Sequence, residues 1–210
     1  TTGTQNVALG SDALDANTTA DNNTAVGYNS LGANTTGTQN TAVGAFALDA
    51  NTTGDYNVAM GVGTLGANTT ATGNTGLGYT ALATNTTGAN NVALGYEALN
   101  LNTTASSNTG LGYQALKANT TGTSNVAVGA NALDANTTGA NNTACGQDSL
   151  SANTTADANT AVGTNALLVN TTGGNNTSVG KDSLRANTTG AGNVAVGQGS
   201  LSTSTTAGDN

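Results

Sequence analysis

Few side chains in this 210-residue chain could carry out chemistry. The sequence contains no His, a single Cys (Cys145) and eleven scattered acidic residues. Without His a Ser-His-Asp arrangement is impossible, and one thiol cannot build an intramolecular disulfide framework. Calcium-binding solenoids place Asp at a fixed position of every turn, whereas no position of the repeat described below holds more than four acids. We therefore expect a protein that is not an enzyme and that binds no metal and no cofactor.

The side chains most open to modification belong to a recurring Asn-Thr-Thr triplet. Each triplet has the Asn-x-Thr pattern of an N-glycosylation acceptor. Alternatively, the triplet serves side-chain ladders and turn bonding in a protein that never carries sugar. The eleven candidate acceptors are Asn17, Asn34, Asn51, Asn68, Asn85, Asn102, Asn119, Asn136, Asn153, Asn170 and Asn187.

The triplets recur every 17 residues without insertion or deletion, so the chain is a tandem repeat. Counted from the triplet Asn as position 1, position 7 is always Asn, position 11 always Gly and position 15 always Leu. All charged side chains, the five Tyr and Phe46 fall at positions 5, 6, 12, 13 and 16. We expect these five positions to face solvent, and we expect one repeat domain over residues 1–210.

Thr, Asn and Gly are poor helix formers, so each repeat is better explained by strands. The alternation predicts two short strands per repeat. The first covers positions 8–10, as in 41–43, with the small ninth residue opposed to its neighbours. The second covers 48–53, with Leu48 on the inner face and with Asn51 and Thr53 outward.

These short strands are stable only when similar units stack on one another. The sequence therefore predicts an all-β fold, a regular β-solenoid (β-roll or β-helix) of about twelve 17-residue coils. Stacking predicts amide ladders of the position 7 Asn and a spine of position 15 Leu. The fixed Gly is expected to supply a positive φ or a close backbone approach. Cys145 occupies position 10 among Val, Leu and Met60, which predicts a buried thiol in the spine.

Both ends of the sequence keep the repeat, which predicts an uncapped solenoid that continues into a fibre. Leu, Val and Phe together number only 32, so one coil buries little apolar surface. We therefore expect self-association, as a homotrimer or as an end-to-end filament.

The segments Asn6–Gly10, Asn40–Gly44 and Asn125–Gly129 share the pattern Asn-(Thr/Val)-Ala-(Val/Leu)-Gly. This pattern resembles the head repeats of trimeric autotransporter adhesins, and the longer unit, as in 91–104, is similar to repeats of phage tail-fibre-like and bacterial surface proteins. The resemblance implies a trimeric β-roll on a cell or virion surface. The predicted function is a structural, non-catalytic module of an extracellular fibre or adhesin.

Two other functions remain open at this level. Ranks of Thr on a β-solenoid are typical of ice-binding proteins, although adjacent Thr in a strand would point to opposite faces. Alternatively, the Tyr residues at position 12 could stack on sugars at a carbohydrate-binding adhesin tip. Three basic residues and a net charge of −8 argue against nucleic acid. No apolar run is long enough to insert into a membrane.

Overall fold

A computed structural model describes residues 2–209, so the predicted ladder residue Asn210 lies outside the described part. The fold is an all-β parallel solenoid with a 17-residue coil, which confirms the predicted class. Each coil contributes one three-residue strand, at positions 8–10. The strands are β1 (Val7–Leu9), β2 (Thr24–Val26), β3 (Thr41–Val43), β4 (Val58–Met60), β5 (Thr75–Leu77), β6 (Val92–Leu94), β7 (Thr109–Leu111), β8 (Val126–Val128), β9 (Thr143–Cys145), β10 (Thr160–Val162), β11 (Thr177–Val179) and β12 (Val194–Val196).

The described chain falls into two compact units, one ending at Ser107 and one beginning at Asn108. The first unit holds β1 to β6 and the second holds β7 to β12. Within each unit every strand pairs in parallel with the next, and each residue pairs with the one 17 positions later, as Ala25 does with Ala42. The expectation of one repeat domain over 1–210 stays a prediction, and the two units are described separately.

The predicted second strand at 48–53 is wrong. This segment forms turns, and Leu48 has a left-handed backbone with φ +51°. The position 15 Leu shares this conformation from Leu14 to Leu201, and position 13 is left-handed as well. A turn closes when the Asn51 N–H donates to the Leu48 carbonyl oxygen at 3.1 Å. Because alternation of faces requires an extended chain, the inward and outward sets predicted for this segment do not hold.

The invariant Gly at position 11 meets both requirements that the sequence suggested. Gly44 has φ +134°, and a Cβ placed on it would lie 2.5 Å from the carbonyl oxygen of Gly61 in the next coil. A side chain here would therefore be strained and would also push neighbouring coils apart. The coils stack closely only because this position has no side chain.

The coil interior is narrow and is lined by positions 1, 4, 7, 9, 14 and 15. Apart from Leu these positions hold only Asn or small residues. The predicted Leu spine is confirmed, since the position 15 Leu from Leu31 to Leu184 are fully buried. Each Leu keeps its unfavourable φ because its backbone is hydrogen-bonded to the next coil. The Leu48 N–H, for example, donates to the Thr64 carbonyl oxygen at 3.1 Å.

Two ladders of buried Asn run through the interior of each unit. At position 7, the Asn57 N–H donates to Oδ1 of Asn40 at 2.9 Å, and Nδ2 of Asn57 donates to the Ala71 oxygen at 2.8 Å. This ladder was predicted and is confirmed. A second ladder lies at position 1, as the alternative role of the triplet predicts. In it, Nδ2 of Asn51 donates to Oδ1 of Asn34 at 2.9 Å and to the Gly54 oxygen at 3.0 Å.

Candidate functional site

The candidate glycosylation acceptors belong to the position 1 ladder, so their expected surface placement is wrong. Asn17 is half-buried, and its Nδ2 donates to the Ala20 oxygen at 3.2 Å. The other ten are fully buried: Asn34, Asn51, Asn68, Asn85, Asn102, Asn119, Asn136, Asn153, Asn170 and Asn187. The Nδ2 atom that would carry a sugar is thus enclosed in the folded coil. The structure supports the alternative role of the triplet, which is side-chain ladders and turn bonding.

The two Thr of each triplet differ in what their hydroxyl groups do. The Thr35 hydroxyl, at position 2, donates to the Thr52 carbonyl oxygen of the next coil at 3.0 Å. That oxygen also accepts the N–H groups of Thr35 and Thr36, at 3.0 and 3.1 Å. Position 2 side chains are half-buried from Thr35 to Thr188, whereas the position 3 side chain is exposed in every coil, as predicted for Thr53.

The outer surface of the sheet carries Thr and apolar side chains, and we call it the strand face. It consists of positions 8 and 10, which hold only Thr, Val, Leu, Met or Cys in all twelve strands. Position 9 lies inside the coil, since it is buried from Ala25 to Ala195. Side chains at position 10 are exposed in eight strands, with Met60 at 42%, Leu77 at 40% and Leu111 at 40%, and half-buried in the other four. Each unit therefore presents a row of apolar side chains to solvent.

Cys145 lies on the strand face, so the prediction of a buried spine thiol is wrong. Its thiol is free and the residue is exposed, like Val162 at the same position in the next coil. The error has a simple cause: Val, Leu and Met at position 10 were assigned to the interior because they are apolar. The interior is closed instead by Ala at position 9 and Leu at position 15.

Charged and aromatic side chains lie outside the coil, as their positions predicted. None of the charged residues is buried, and all five Tyr and Phe46 are exposed, from 43% for Phe46 to 59% for Tyr56. Two aromatic pairs join neighbouring coils of the first unit. Tyr79 stacks on Tyr96 with ring centroids 5.4 Å apart, and Tyr28 meets Phe46 edge to face at 5.1 Å. Stacking along the coil axis uses ring faces that a sugar would need.

Three carboxylates have shifted pKa values, one because of hydrogen bonds from a neighbouring coil and two because of partial burial. At position 5, the N–H and hydroxyl of Thr4 both donate to Asp21, and these hydrogen bonds lower the pKa of Asp21. At position 16, desolvation raises the pKa of Asp134. The negative charge of Asp148 raises this pKa further, and the Lys117 ammonium lowers it. Desolvation likewise raises the pKa of Asp49. Each of these shifts follows from hydrogen bonds to a neighbouring coil or from partial burial, with a smaller contribution from Asp148 at Asp134.

Residues 2–209 bring together no three His, Cys, Asp or Glu side chains that could hold a metal ion. The second unit has an open surface depression of about 300 Å³, lined by Leu168, Val169, Arg185, Ala186 and Ser202. Its polar side chains are those of Arg185 and Ser202, and the other three lining residues are apolar. In the described part of the chain no helix could cross a lipid bilayer.

Comparison with protein-family models, with curated proteins and with solved structures finds no match for this chain. The candidate sites therefore rest on the coil geometry. That geometry leaves two surfaces of uniform chemistry, the apolar strand face and the row of exposed Thr at position 3. The strand face could have been found from the sequence. Ala at position 9 and Leu at position 15 fill the narrow interior, which leaves no space there for the apolar residues of position 10.

Proposed function

We propose that the protein is a structural, non-catalytic module of an extracellular fibre or surface adhesin, in which copies associate laterally through the strand face. The observation that carries this proposal is the exposed column of apolar side chains at position 10. Water-exposed apolar surface in a continuous row marks an interaction site, since soluble monomers seldom present it. None of the twelve strands places a charged or amide side chain on this face. This composition favours burial of the strand face in an assembly.

The chemistry of the face favours a second copy of the same chain as its occupant. A flat row of Val, Leu and Thr, repeated at a spacing of about 4.8 Å, is matched by an identical row. Rotational symmetry brings the same patch of each copy together, and such closed assemblies are the common form of homo-oligomers. The resemblance to trimeric adhesin heads favours three copies, and it also supports the proposed location outside the cell.

Two substitutions in one coil test the association. Met60 lies on the strand face and is 42% exposed, whereas Val62 lies two residues further, past Gly61, and is 48% exposed. Met60→Lys and Val62→Lys introduce the same charge at similar exposure. Neither disturbs the interior. The mass of each protein is measured by light scattering after size-exclusion chromatography over a range of concentrations.

We expect the unaltered chain and Val62→Lys to be oligomers and Met60→Lys to be a monomer with unchanged circular dichroism. A desolvated lysine at the centre of an apolar interface carries a large penalty, which is the reason for the difference. A monomeric unaltered chain at micromolar concentration would overturn the proposal. An oligomer that tolerates Met60→Lys would show that the copies use another surface.

A further inference from the structure

The exposed Thr side chains at position 3 form an uninterrupted row in each unit, which we call the Thr rank. The first unit contributes Thr2, Thr19, Thr36, Thr53, Thr70, Thr87 and Thr104. The second contributes Thr121, Thr138, Thr155, Thr172, Thr189 and Thr206. Every member is exposed. Position 3 never varies, although the other exposed positions of the coil do. Its constancy therefore needs a reason outside the coil.

Packing and internal hydrogen bonding do not explain the Thr rank. None of its hydroxyl groups is hydrogen-bonded to another part of the described chain. Position 2 shows the contrast, because its hydroxyl groups do stabilise the stack, as in the 3.0 Å bonds from Thr137 to Thr154 and from Thr171 to Thr188. Thr is therefore required at position 2 for the fold, but at position 3 for something that lies in solvent.

We propose that the Thr rank is an adsorption surface for a crystalline water lattice, that is, an ice-binding face. Parallel coils repeat at about 4.8 Å, which is close to the repeat of oxygen atoms along one axis of hexagonal ice. Each free hydroxyl can donate one hydrogen bond and accept two, so it can take three of the four hydrogen bonds of a lattice water. This surface is distinct from the strand face, so the inference does not depend on the proposed assembly.

The rank is held rigidly, and this rigidity is what a lattice partner requires. The backbone N–H of Thr53 donates to the Thr69 oxygen and that of Thr138 to the Thr154 oxygen, both at 3.3 Å. Thr is β-branched and has few χ1 rotamers, so little side-chain entropy is lost on binding. The rank also contains no charged residue, so no tightly held hydration shell competes with the lattice. Many weak contacts in one row then act together.

The structure removes the argument that weighed against ice at the level of sequence. Adjacent Thr point to opposite faces, with Asn accompanying Thr outward, only if the Asn-Thr-Thr segment is a strand. The segment is a turn in which Asn51 is buried and the half-buried Thr52 lies beside the exposed Thr53. The outward surface of the triplet is therefore Thr alone: the exposed Thr rank at position 3, with the half-buried Thr of position 2 beside it.

A recognition site for sugar fits these observations less well. Sugar sites are concave and combine aromatic platforms with convergent polar groups, whereas the Thr rank is a single row without an aromatic member. The exposed aromatic residues lie at other positions of the coil, such as Tyr79 and Tyr96 at position 12. An extended regular partner is therefore favoured over a short oligosaccharide.

The test uses the unaltered chain and two Thr→Lys variants of the second unit. Thr138 belongs to the Thr rank, whereas Thr123 lies at position 5 and is also exposed. Thr138→Lys and Thr123→Lys thus make the same chemical change at matched exposure. Thermal hysteresis is measured with a nanolitre osmometer, and incorporation of dye-labelled protein into a growing ice hemisphere is recorded alongside.

We expect hysteresis and incorporation into ice for the unaltered chain and for Thr123→Lys, and a several-fold loss of both for Thr138→Lys. Circular dichroism confirms that both variants keep the fold. No hysteresis and no incorporation in the unaltered chain would overturn the inference, as would equal losses in the two variants. Binding to crystalline cellulose or chitin that depends on Thr138, without binding to ice, would also overturn it. None of these results bears on the oligomeric state, which tests the proposed assembly separately.

Discussion

The interior of each coil and its strand face reverse the usual distribution of polarity. The interior holds two ladders of Asn, exemplified by Asn57 with no exposed surface, while Met60 three residues later is 42% exposed. The difference teaches that repeated hydrogen bonding between stacked coils allows amides to be buried beside Ala and Leu in a narrow interior, while apolar side chains outside that interior stay exposed. An amide repeated at every level finds the same partners at every level, so that its burial cost is compensated.

The largest effect is expected from breaking an interior ladder with Asn125→Ala. The side chain of Asn125 donates to the Gly139 oxygen at 2.8 Å and accepts the Asn142 N–H at 2.9 Å. Removing it leaves buried groups without partners, each costing about 1–3 kcal/mol. We expect the free energy of unfolding to fall by about 4 kcal/mol in guanidinium titrations followed by circular dichroism.

The matched control for that prediction is Asn141→Ala. Asn141 is exposed at position 6, and the corresponding residue of the next coil is already Ala158. Asn141 has a left-handed backbone with φ +58°, which Asn tolerates better than Ala, so we expect a loss of about 1 kcal/mol. If the two variants lost equal stability, the comparison between ladder and surface would fail.

A smaller effect is expected from two Leu→Ala variants, one inside and one on the strand face. Leu116 is fully buried in the spine, whereas Leu111 is 40% exposed. Leu116→Ala leaves a cavity and should cost about 3 kcal/mol. Leu111→Ala should cost less than about 1 kcal/mol in dilute protein, because much of its surface is already in water. Denaturation midpoints measured at one low concentration give the comparison, and a larger loss for Leu111→Ala would contradict it.

A modest dependence on pH is expected from Asp134, which lies between the interior and the surface. Desolvation raises its pKa above the ordinary 3.8, so the folded state holds the proton more tightly than the unfolded chain does. This residue therefore stabilises the fold most below the unfolded pKa, and the contribution is lost as pH rises through the raised folded value.

Replacement of that carboxylate tests the sign. Asp134→Asn keeps the shape without the charge, so we expect a gain of less than about 1 kcal/mol at neutral pH. The gain should shrink as pH falls below the folded pKa of Asp134. The gain is measured from melting temperatures between pH 3 and pH 7, with Asp157→Asn as an exposed control. A gain that grows on acidification would contradict a raised pKa for Asp134.

The smallest perturbation is a chemical label on Cys145, which reports directly on the strand face. Its exposure predicts complete reaction with one equivalent of a thiol reagent without denaturant. Association through the strand face should slow the reaction as protein concentration rises. A thiol that reacts only in denaturant at every dilution would place position 10 inside the coil and reverse the comparison.

Much of the interior followed from spacing alone. The invariant Asn57, Gly61 and Leu65 could be assigned to ladder, close contact and spine because stacking sets each invariant position on itself. The reasoning failed for Asn51 and Cys145, and for related reasons. Asn51 was placed on the surface by strand alternation in a segment that is a turn. Cys145 was placed inside because its column is apolar, although alternation across Ala144 already put it opposite the buried face.

The sequence by itself determined the coil length, the parallel register and the class of fold, because a 17-residue period without interruption permits only one way to stack. Tertiary structure alone decided which face of each coil meets water. The left-handed backbone at Leu48 and its equivalents turns the chain inward once per coil, and no local propensity predicts that conformation for Leu. It persists because hydrogen bonds to the next coil and complete burial of the Leu side chain hold it, and both exist only once the coils are stacked.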